Sequence, residues 1–133
     1  MRVATADSRV AWASLSTRHW LAIGFAVVTA LVHLILGLEF LPHWMGIAFL
    51  ATTAGFALGI ALILLNIARQ LVYLAGIPFT GAQIVLWYVL NEPTTVADLS
   101  ALEAIDKIAQ VCLLGALIVL LRRDRQPREP NHE

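Results

Sequence analysis

The fold is decided by residues 100–123, S-A-L-E-A-I-D-K-I-A-Q-V-C-L-L-G-A-L-I-V-L-L-R-R. The first turns of this stretch carry polar side chains at i, i+3, i+4 and i+7, namely Glu103, Asp106, Lys107 and Gln110. On a helix these positions share one sector of about 100°, and the rest of the surface is apolar. Residues 108–121 alone give only ~21 Å of helix, which is too short to cross a hydrocarbon core of ~30 Å. The charged turn must therefore enter the outer zone of a membrane.

The composition of the chain indicates a membrane protein. Hydrophobic residues make up 59% of it, charged residues 14%, and the mean hydropathy is +0.79, which is far more apolar than an ordinary soluble domain. Nine Lys and Arg residues balance nine Asp and Glu residues. Because no basic surplus is left to neutralise phosphates, we expect no nucleic-acid partner. The single cysteine, Cys112, excludes an intramolecular disulfide and a C-x-x-C site.

Apolar runs predict four transmembrane helices, at residues 20–41, 45–66, 71–91 and 102–121. Each run gives ~30 Å or more of helix, enough to span a bilayer. Pro42 and His43 leave only a short turn between the first two helices, which predicts an antiparallel hairpin. Ser100 and Glu103 have the S-x-x-E spacing of a capping box at the start of the fourth helix. We expect an all-α integral membrane protein, a four-helix up-down-up-down bundle with tails at residues 1–19 and 122–133.

The placement of Lys and Arg predicts the orientation of these helices. With four spans, one side of the membrane holds Arg2, Arg9, Arg18, Arg69, Arg122, Arg123, Arg125 and Arg128. The other side holds Glu39, Glu92, Asp98, Glu103 and Asp106, with Lys107 as its only basic residue. By the positive-inside rule, both the N- and C-termini are cytoplasmic. The first apolar run is longer than the ~7–15 residues of a signal peptide, so we expect no cleavage and a multi-pass protein of the cell membrane.

Polar side chains from all four predicted helices lie at a similar depth. Counted from the inner end of each helix, His33, Gln83 and Gln110 lie at ~17–20 Å, and Thr52 at ~20 Å. Such groups can hydrogen-bond between helices and fix their register. Alternatively, they form the floor of a water-filled cavity with the charged turn at its mouth, since intramembrane ionisable groups usually face a bundle interior or an aqueous path. The candidate cavity residues are His33, Glu39, Thr52, Gln83, Glu103, Asp106, Lys107 and Gln110.

The ionisable members of this set each have two interpretations. A histidine such as His33 can be a neutral hydrogen-bonding group, or it can change charge near neutral pH as a proton-coupled step requires. Asp106 and Lys107 can be interfacial charges at a helix start, with Glu103 pairing with Lys107 at i, i+4. Glu39 either completes a cluster with Lys107 or faces lipid headgroups.

Small residues predict close helix packing. Ala51, Gly55 and Gly59 form one stripe on the second helix and permit a close neighbour, either within the chain or in a second subunit. Gly76 is a comparable position on the third helix, where Pro78 permits a kink.

The motifs of common enzyme classes are absent from the sequence. It contains no H-E-x-x-H, no paired C-x-x-C, no Walker loop and no G-x-S-x-G. We expect a protein that is not an enzyme and has no catalytic residues, no bound metal and no cofactor. The leading hypothesis is a membrane protein that binds or passes a proton, a cation or a small polar solute. Its partners are the lipid bilayer and either a second copy of the chain or a larger membrane complex.

Two other functions stay open at this point. One is an accessory or structural subunit that packs against a larger membrane complex through the stripe of small residues. The other is haem or quinone binding in electron transfer. Haem held by two histidines would need a partner for His33 at matching depth, and none of His19, His43 and His132 is placed to supply it within one subunit.

Three segments of the chain carry a family resemblance. They are H-L-I-L-G-L-E-F-L-P at 33–42, L-A-G-I-P-F-T-G-A-Q-I-V-L-W-Y-V-L-N-E-P at 74–93 and D-K-I-A-Q-V-C-L-L-G at 106–115. Together they resemble small four-span membrane proteins found among halophilic archaea and catalogued as a domain of unknown function. The resemblance implies a four-span architecture over residues 20–123 and implies no activity.

Overall fold

The computed structural model describes residues 10–92 and 100–125 of the chain. A short 3-10 helix at Trp12–Ser14 precedes α1 (Thr17–Phe40), α2 (Trp44–Leu64), α3 (Arg69–Asn91) and α4 (Ala101–Arg125). All four long helices are long and apolar enough to cross a membrane, and no strand occurs within the described ranges. The predicted all-α class is confirmed, and the described chain has four helices of the length and apolar character that a membrane span requires. Residues 1–9 and 126–133 of the predicted tails and residues 93–99 of the α3–α4 connection lie outside the described residues.

Side-chain caps explain where two of the helices begin. α1 starts at Thr17, three residues before the predicted span, because His19 Nδ1 accepts a hydrogen bond from the Ser16 backbone N–H at 3.0 Å. At the start of α4, Ser100 Oγ accepts from the Glu103 backbone N–H at 3.1 Å. This is the hydroxyl half of the predicted capping box. The Glu103 carboxylate is directed elsewhere, toward α3.

The packing of the helices leaves a cleft on one side of the bundle. α1 packs against both α2 and α4, and α4 packs against α3, whereas α2 and α3 touch only slightly. Buried apolar side chains from all four helices form the core, among them Ala22, Phe56, Tyr73 and Leu117. The cleft between α2 and α3 is therefore the part of the bundle with room for another molecule.

The tightest helix contact joins α1 to α2 through Gly37 and Gly46. A Cβ atom at Gly46 would lie 2.8 Å from the Gly37 carbonyl oxygen and 2.8 Å from the Leu41 backbone nitrogen. A Cβ atom at Gly37 would lie 2.8 Å from two carbon atoms of the Leu50 side chain. The two glycines thus allow the helices to approach backbone to backbone near their connecting turn.

The predicted stripe of small residues contacts α3 only in part. A Cβ atom at Gly55 would meet the Phe79 ring at 2.8 Å, and one at Gly59 would lie 3.8 Å from Val72. Ala51 is exposed, so the stripe packs through its glycines. On α3, a Cβ atom at Gly76 would lie 3.0 Å from Leu117 of α4.

Arg69 closes the carboxyl end of α2. Its Nε and Nη2 donate to the Ile63 carbonyl oxygen at 2.8 and 2.6 Å, and Nη2 also donates to Ser14 Oγ at 2.8 Å. The Ala11 backbone N–H donates to the Leu64 carbonyl oxygen at 2.8 Å. The last carbonyl groups of a helix lack partners within it and carry partial negative charge, so an arginine here is favourable. Arg69 also ties the segment before α1 to the end of α2.

Replacing Arg69 with Met is expected to lower the free energy of unfolding by about 1.5–3 kcal/mol, since its hydrogen bonds come from a charged group. Thermal unfolding of the purified protein in detergent, followed by near-ultraviolet circular dichroism, measures the change. Arg122→Met is the matched control, because Arg122 is exposed on α4 and makes no hydrogen bond within the described chain. Equal unfolding midpoints for the two variants would contradict this role of Arg69.

Candidate functional site

Asp106 of α4 is the centre of a buried polar network. Its side chain lies inside the bundle, and the residue is only 4% exposed. Thr29 Oγ1 of α1 donates to Asp106 Oδ1, and Lys107 Nζ forms an ion pair with Asp106 Oδ2 at 3.0 Å. A buried carboxylate is costly unless it is paired and hydrogen-bonded. Asp106 satisfies both conditions, because Thr29 on α1 hydrogen-bonds to it and Lys107 on α4 pairs with it.

Lys107 extends this network to α3. Its Nζ donates to Gln110 Oε1 at 2.7 Å, and Gln110 Nε2 donates to Gln83 Oε1 at 2.8 Å. Gln83 Nε2 in turn donates to the Phe79 carbonyl oxygen at 3.0 Å. Lys107 Nζ also lies 5.3 Å from the centre of the Trp87 ring, within the range of a cation–π interaction. These hydrogen bonds fix the rotation of α4 relative to α3, because the fully buried amide of Gln110 needs partners.

His33 faces Asp106 from α1. Its Nδ1 lies 2.8 Å from the Thr29 carbonyl oxygen and 3.7 Å from Asp106 Oδ1. A carbonyl oxygen can only accept a hydrogen bond, so Nδ1 carries the proton of the neutral ring and Nε2 is left as an acceptor. Nε2 has no hydrogen-bond partner among the described residues. His33 can therefore take up a proton at Nε2 without losing its bond to α1.

A cavity of about 380 Å³ lies beside this network, in the cleft between α2 and α3. We call it the polar cavity; its polar lining residues are His33, Thr52, Gln83, Trp87, Glu103, Asp106 and Lys107. The remaining wall is apolar and includes Trp44 and Phe49. The volume lies in the usual range of small-molecule sites, which combine apolar walls with a few polar groups.

Glu103 gives the polar cavity a second carboxylate. Trp87 Nε1 donates to Glu103 Oε2 at 3.3 Å and holds the carboxylate against α3. The cavity wall thus contains the carboxylates of Glu103 and Asp106 but only one ammonium group, that of Lys107. With His33 neutral, its formal charge is negative.

The structure brings together most of the candidate residues but not all of them. His33, Gln83, Glu103, Asp106, Lys107 and Gln110 belong to the network or to the cavity wall. Thr52 lines the cavity, but its hydroxyl donates to the Ala48 carbonyl oxygen within α2 at 3.0 Å. Glu39 is exposed and forms no ion pair with any described residue. The expected Glu103–Lys107 pair is replaced by Glu103–Trp87 and Asp106–Lys107 contacts.

Two residues of the site, Thr29 and Trp87, are not among the sequence candidates. Thr29 precedes His33 by four residues and so shares its helix face, a spacing that would have identified it. Trp87 follows Gln83 by the same interval on α3. No sequence signal separates a tryptophan that faces a cavity from one that lies at the membrane interface.

The described residues assemble neither a metal site nor a pair of histidines around His33. No group of three His, Cys, Asp or Glu side chains within the described ranges is close enough to hold a metal ion. His19 is bonded to Ser16, and His43 Nδ1 accepts from the Met45 backbone N–H at 3.1 Å. Neither of these histidines reaches His33 within one chain.

Comparisons of the chain with protein-family models, with curated proteins and with solved structures find no match. The resemblance to small four-span proteins of halophilic archaea stays a prediction. The geometry of the polar cavity is therefore the guide to function.

Proposed function

We propose that this is a multi-pass protein of the cell membrane whose polar cavity binds one positive charge, either a proton on His33 or a small cation beside Glu103 and Asp106. In this proposal the helices run up-down-up-down and both termini are cytoplasmic. The short α1–α2 turn and the Trp87–Glu103 contact between α3 and α4 support the alternation. The placement of Lys and Arg supports the orientation.

The observation that carries the proposal is the charge of the cavity wall. Its two carboxylates face one ammonium group, and the only uncommitted basic atom of the described wall is His33 Nε2. A proton on Nε2 would place an imidazolium with its Nδ1 3.7 Å from Asp106 Oδ1 and would balance the cavity. A small cation in the cavity would balance the negative charge of the wall equally well.

Groups from every neighbouring helix determine how His33 responds to pH. On the helix of His33 itself, the backbone carbonyl oxygen of Thr29 accepts the hydrogen bond from Nδ1. From α2, the uncharged ring of Phe49 lies 5.4 Å from the His33 ring between ring centres. The charged groups come from α4, and Asp106 is the one in direct contact with His33. The α3 wall of the cavity contributes the uncharged side chains of Gln83 and Trp87. A protonated His33 repels a second cation, so the proton and the cation compete for the cavity.

Proton release on cation binding tests this proposal. Tetramethylammonium is a suitable probe, because carboxylates and aromatic rings together favour quaternary ammonium groups. It is added to the purified protein in weakly buffered detergent solution at a series of pH values between about 5 and 8, the range over which histidine side chains in general change charge. We expect release of up to about one proton per chain, since one imidazole is involved. A cation that binds without proton release, or fails to bind, would contradict the proposal.

Two histidine variants identify the residue that releases the proton. His33→Asn keeps a donor near the position of Nδ1 for the Thr29 carbonyl oxygen but lacks Nε2. It is expected to bind the cation without releasing a proton. His43→Asn is the control, because His43 is exposed at the start of α2, and it should release as many protons as the unmodified protein. Equal proton release from both variants would exclude His33 as the residue that holds and releases the proton.

A further inference from the structure

A second cavity, of about 280 Å³, lies in the same cleft between α2 and α3. We call it the apolar cavity. Apart from Thr80 its lining residues are apolar, including Gly55, Gly59, Ile63, Val72, Gly76 and Leu117. Leu58 and Phe79 also line it and are 61% and 39% exposed. The apolar cavity therefore opens sideways, onto the apolar surface that faces lipid in a membrane.

Thr80 gives this cavity an independent indication of a ligand. The residue is fully buried, and its hydroxyl has no hydrogen-bond partner among the described residues. A buried hydroxyl without a partner is unfavourable. Thr80 is 0% exposed, so a polar atom of a bound molecule supplies the missing partner once the side chains around Thr80 shift.

The two cavities are neighbours along the cleft. On α2 the polar cavity includes Thr52 and the apolar cavity includes Gly55, while on α3 the corresponding residues are Gln83 and Thr80. Each pair is less than one helical turn apart, or ~5 Å. The rings of Phe56 and Phe79, 5.1 Å apart between centres, line the apolar cavity near this border and stand between the two cavities. A molecule that occupies both cavities must pass beside these two rings.

We propose that the ligand is an amphiphilic cation from the bilayer, with its positive head beside Glu103 and Asp106 and its hydrocarbon chain in the apolar cavity. A polar oxygen next to the head, such as that of an ester, accepts from the Thr80 hydroxyl. The proposal rests on the proposed function, because the negative polar cavity selects the sign of the head. From Gly55 to Ile63 the apolar cavity follows α2 for ~12 Å, which accommodates most of an extended dodecanoyl chain.

Choline esters of different chain length test this inference on the full chain in lipid nanodiscs. Radiolabelled lauroylcholine has the cationic head, the ester and the long chain, and acetylcholine has the same head and ester without the chain. Binding to empty nanodiscs is subtracted. Lauroylcholine is expected to bind at least about tenfold more tightly, which is the effect of burying two or more additional methylene groups.

Variants on α2 and α3 test where the hydrocarbon chain of the ester binds. Gly59→Leu fills the apolar cavity and is expected to weaken lauroylcholine binding by about tenfold while leaving acetylcholine binding unchanged. Ala75→Leu fills the apolar cavity from α3 and replaces Gly59→Leu as the test variant if Gly59→Leu does not fold. Ala61→Leu is the matched control, since Ala61 is exposed on α2 and outside the cavity wall. Thr80→Val should weaken both esters, because it removes the hydroxyl at nearly constant volume.

The outcomes separate this inference from the proposed function. If acetylcholine binds but Gly59→Leu and Ala75→Leu leave lauroylcholine binding unchanged, the chain lies elsewhere and only the further inference fails. If Glu103→Gln leaves lauroylcholine binding unchanged, the head is not in the polar cavity and the inference also fails. If neither ester nor tetramethylammonium binds, both proposals fail.

Discussion

Replacing Lys107 with Met is expected to lower the free energy of unfolding by about 3–5 kcal/mol, the usual cost of removing one partner of a buried ion pair. The loss has two parts. The Asp106 carboxylate keeps its bond from Thr29 but loses the ammonium group 3.0 Å from Oδ2. Gln110 Oε1 loses the donor at 2.7 Å, which leaves a buried amide oxygen without a partner.

A second substitution separates these two parts. In the Lys107→Met background, Asp106→Asn removes the uncompensated charge and leaves an amide oxygen to accept from Thr29, so it should restore most of the lost stability. Arg123→Met, at an exposed position of the same helix, controls for loss of a positive charge in general. Thermal unfolding in detergent measures all four proteins. An unchanged midpoint for Lys107→Met, or no recovery in the double variant, would contradict a buried pair.

Replacing Gly46 with Ala is expected to lower the free energy of unfolding by roughly 1–3 kcal/mol, the range for overpacking a close contact. The added Cβ would lie 2.8 Å from the Gly37 carbonyl oxygen, so backbone atoms of α1 would have to move. A flexible side chain could turn away from such a contact, but these backbone atoms are fixed by the hairpin. The change should therefore push α1 and α2 apart near their connecting turn.

Two other glycines are matched controls for this prediction. A Cβ atom at Gly24 of α1 or at Gly115 of α4 would meet nothing within 4 Å, and both positions are exposed. Alanine there should leave stability unchanged or raise it by up to ~1 kcal/mol, through its better helix propensity. The same unfolding assay compares the three variants. If Gly46→Ala is as stable as the controls, α1 and α2 do not approach through Gly37 and Gly46.

The sequence predicts the helices well because the bilayer imposes a length. Any crossing helix needs about 20 apolar residues, and the chain has four such runs. The spacing of Glu103, Asp106, Lys107 and Gln110 also predicts that they share a helix face. Asp106 and Gln110 are buried, so this face is directed toward the bundle interior.

The partners of these residues could not be predicted, because they depend on how the helices pack. α1 lies between α2 and α4, so Asp106 meets Thr29, and Glu103 turns to Trp87 instead of Lys107. The contact between Gly37 and Gly46 lies across a turn, where no spacing rule applies. The small-residue spacing on α2 is visible in the sequence, but the neighbour of Gly55 is a phenyl ring and not a second backbone.

The proposed function depends most directly on the protonation of the His33 ring. Nitrogen-15 NMR of histidine-labelled protein in detergent measures it, and the His33→Asn variant assigns the signals. At about pH 8, where histidine side chains are in general neutral, we predict a proton on Nδ1 and none on Nε2. When the pH is lowered until the ring carries both protons, the addition of tetramethylammonium should remove the one on Nε2. A neutral ring protonated on Nε2, or one that does not respond to the cation, would contradict the proposed function.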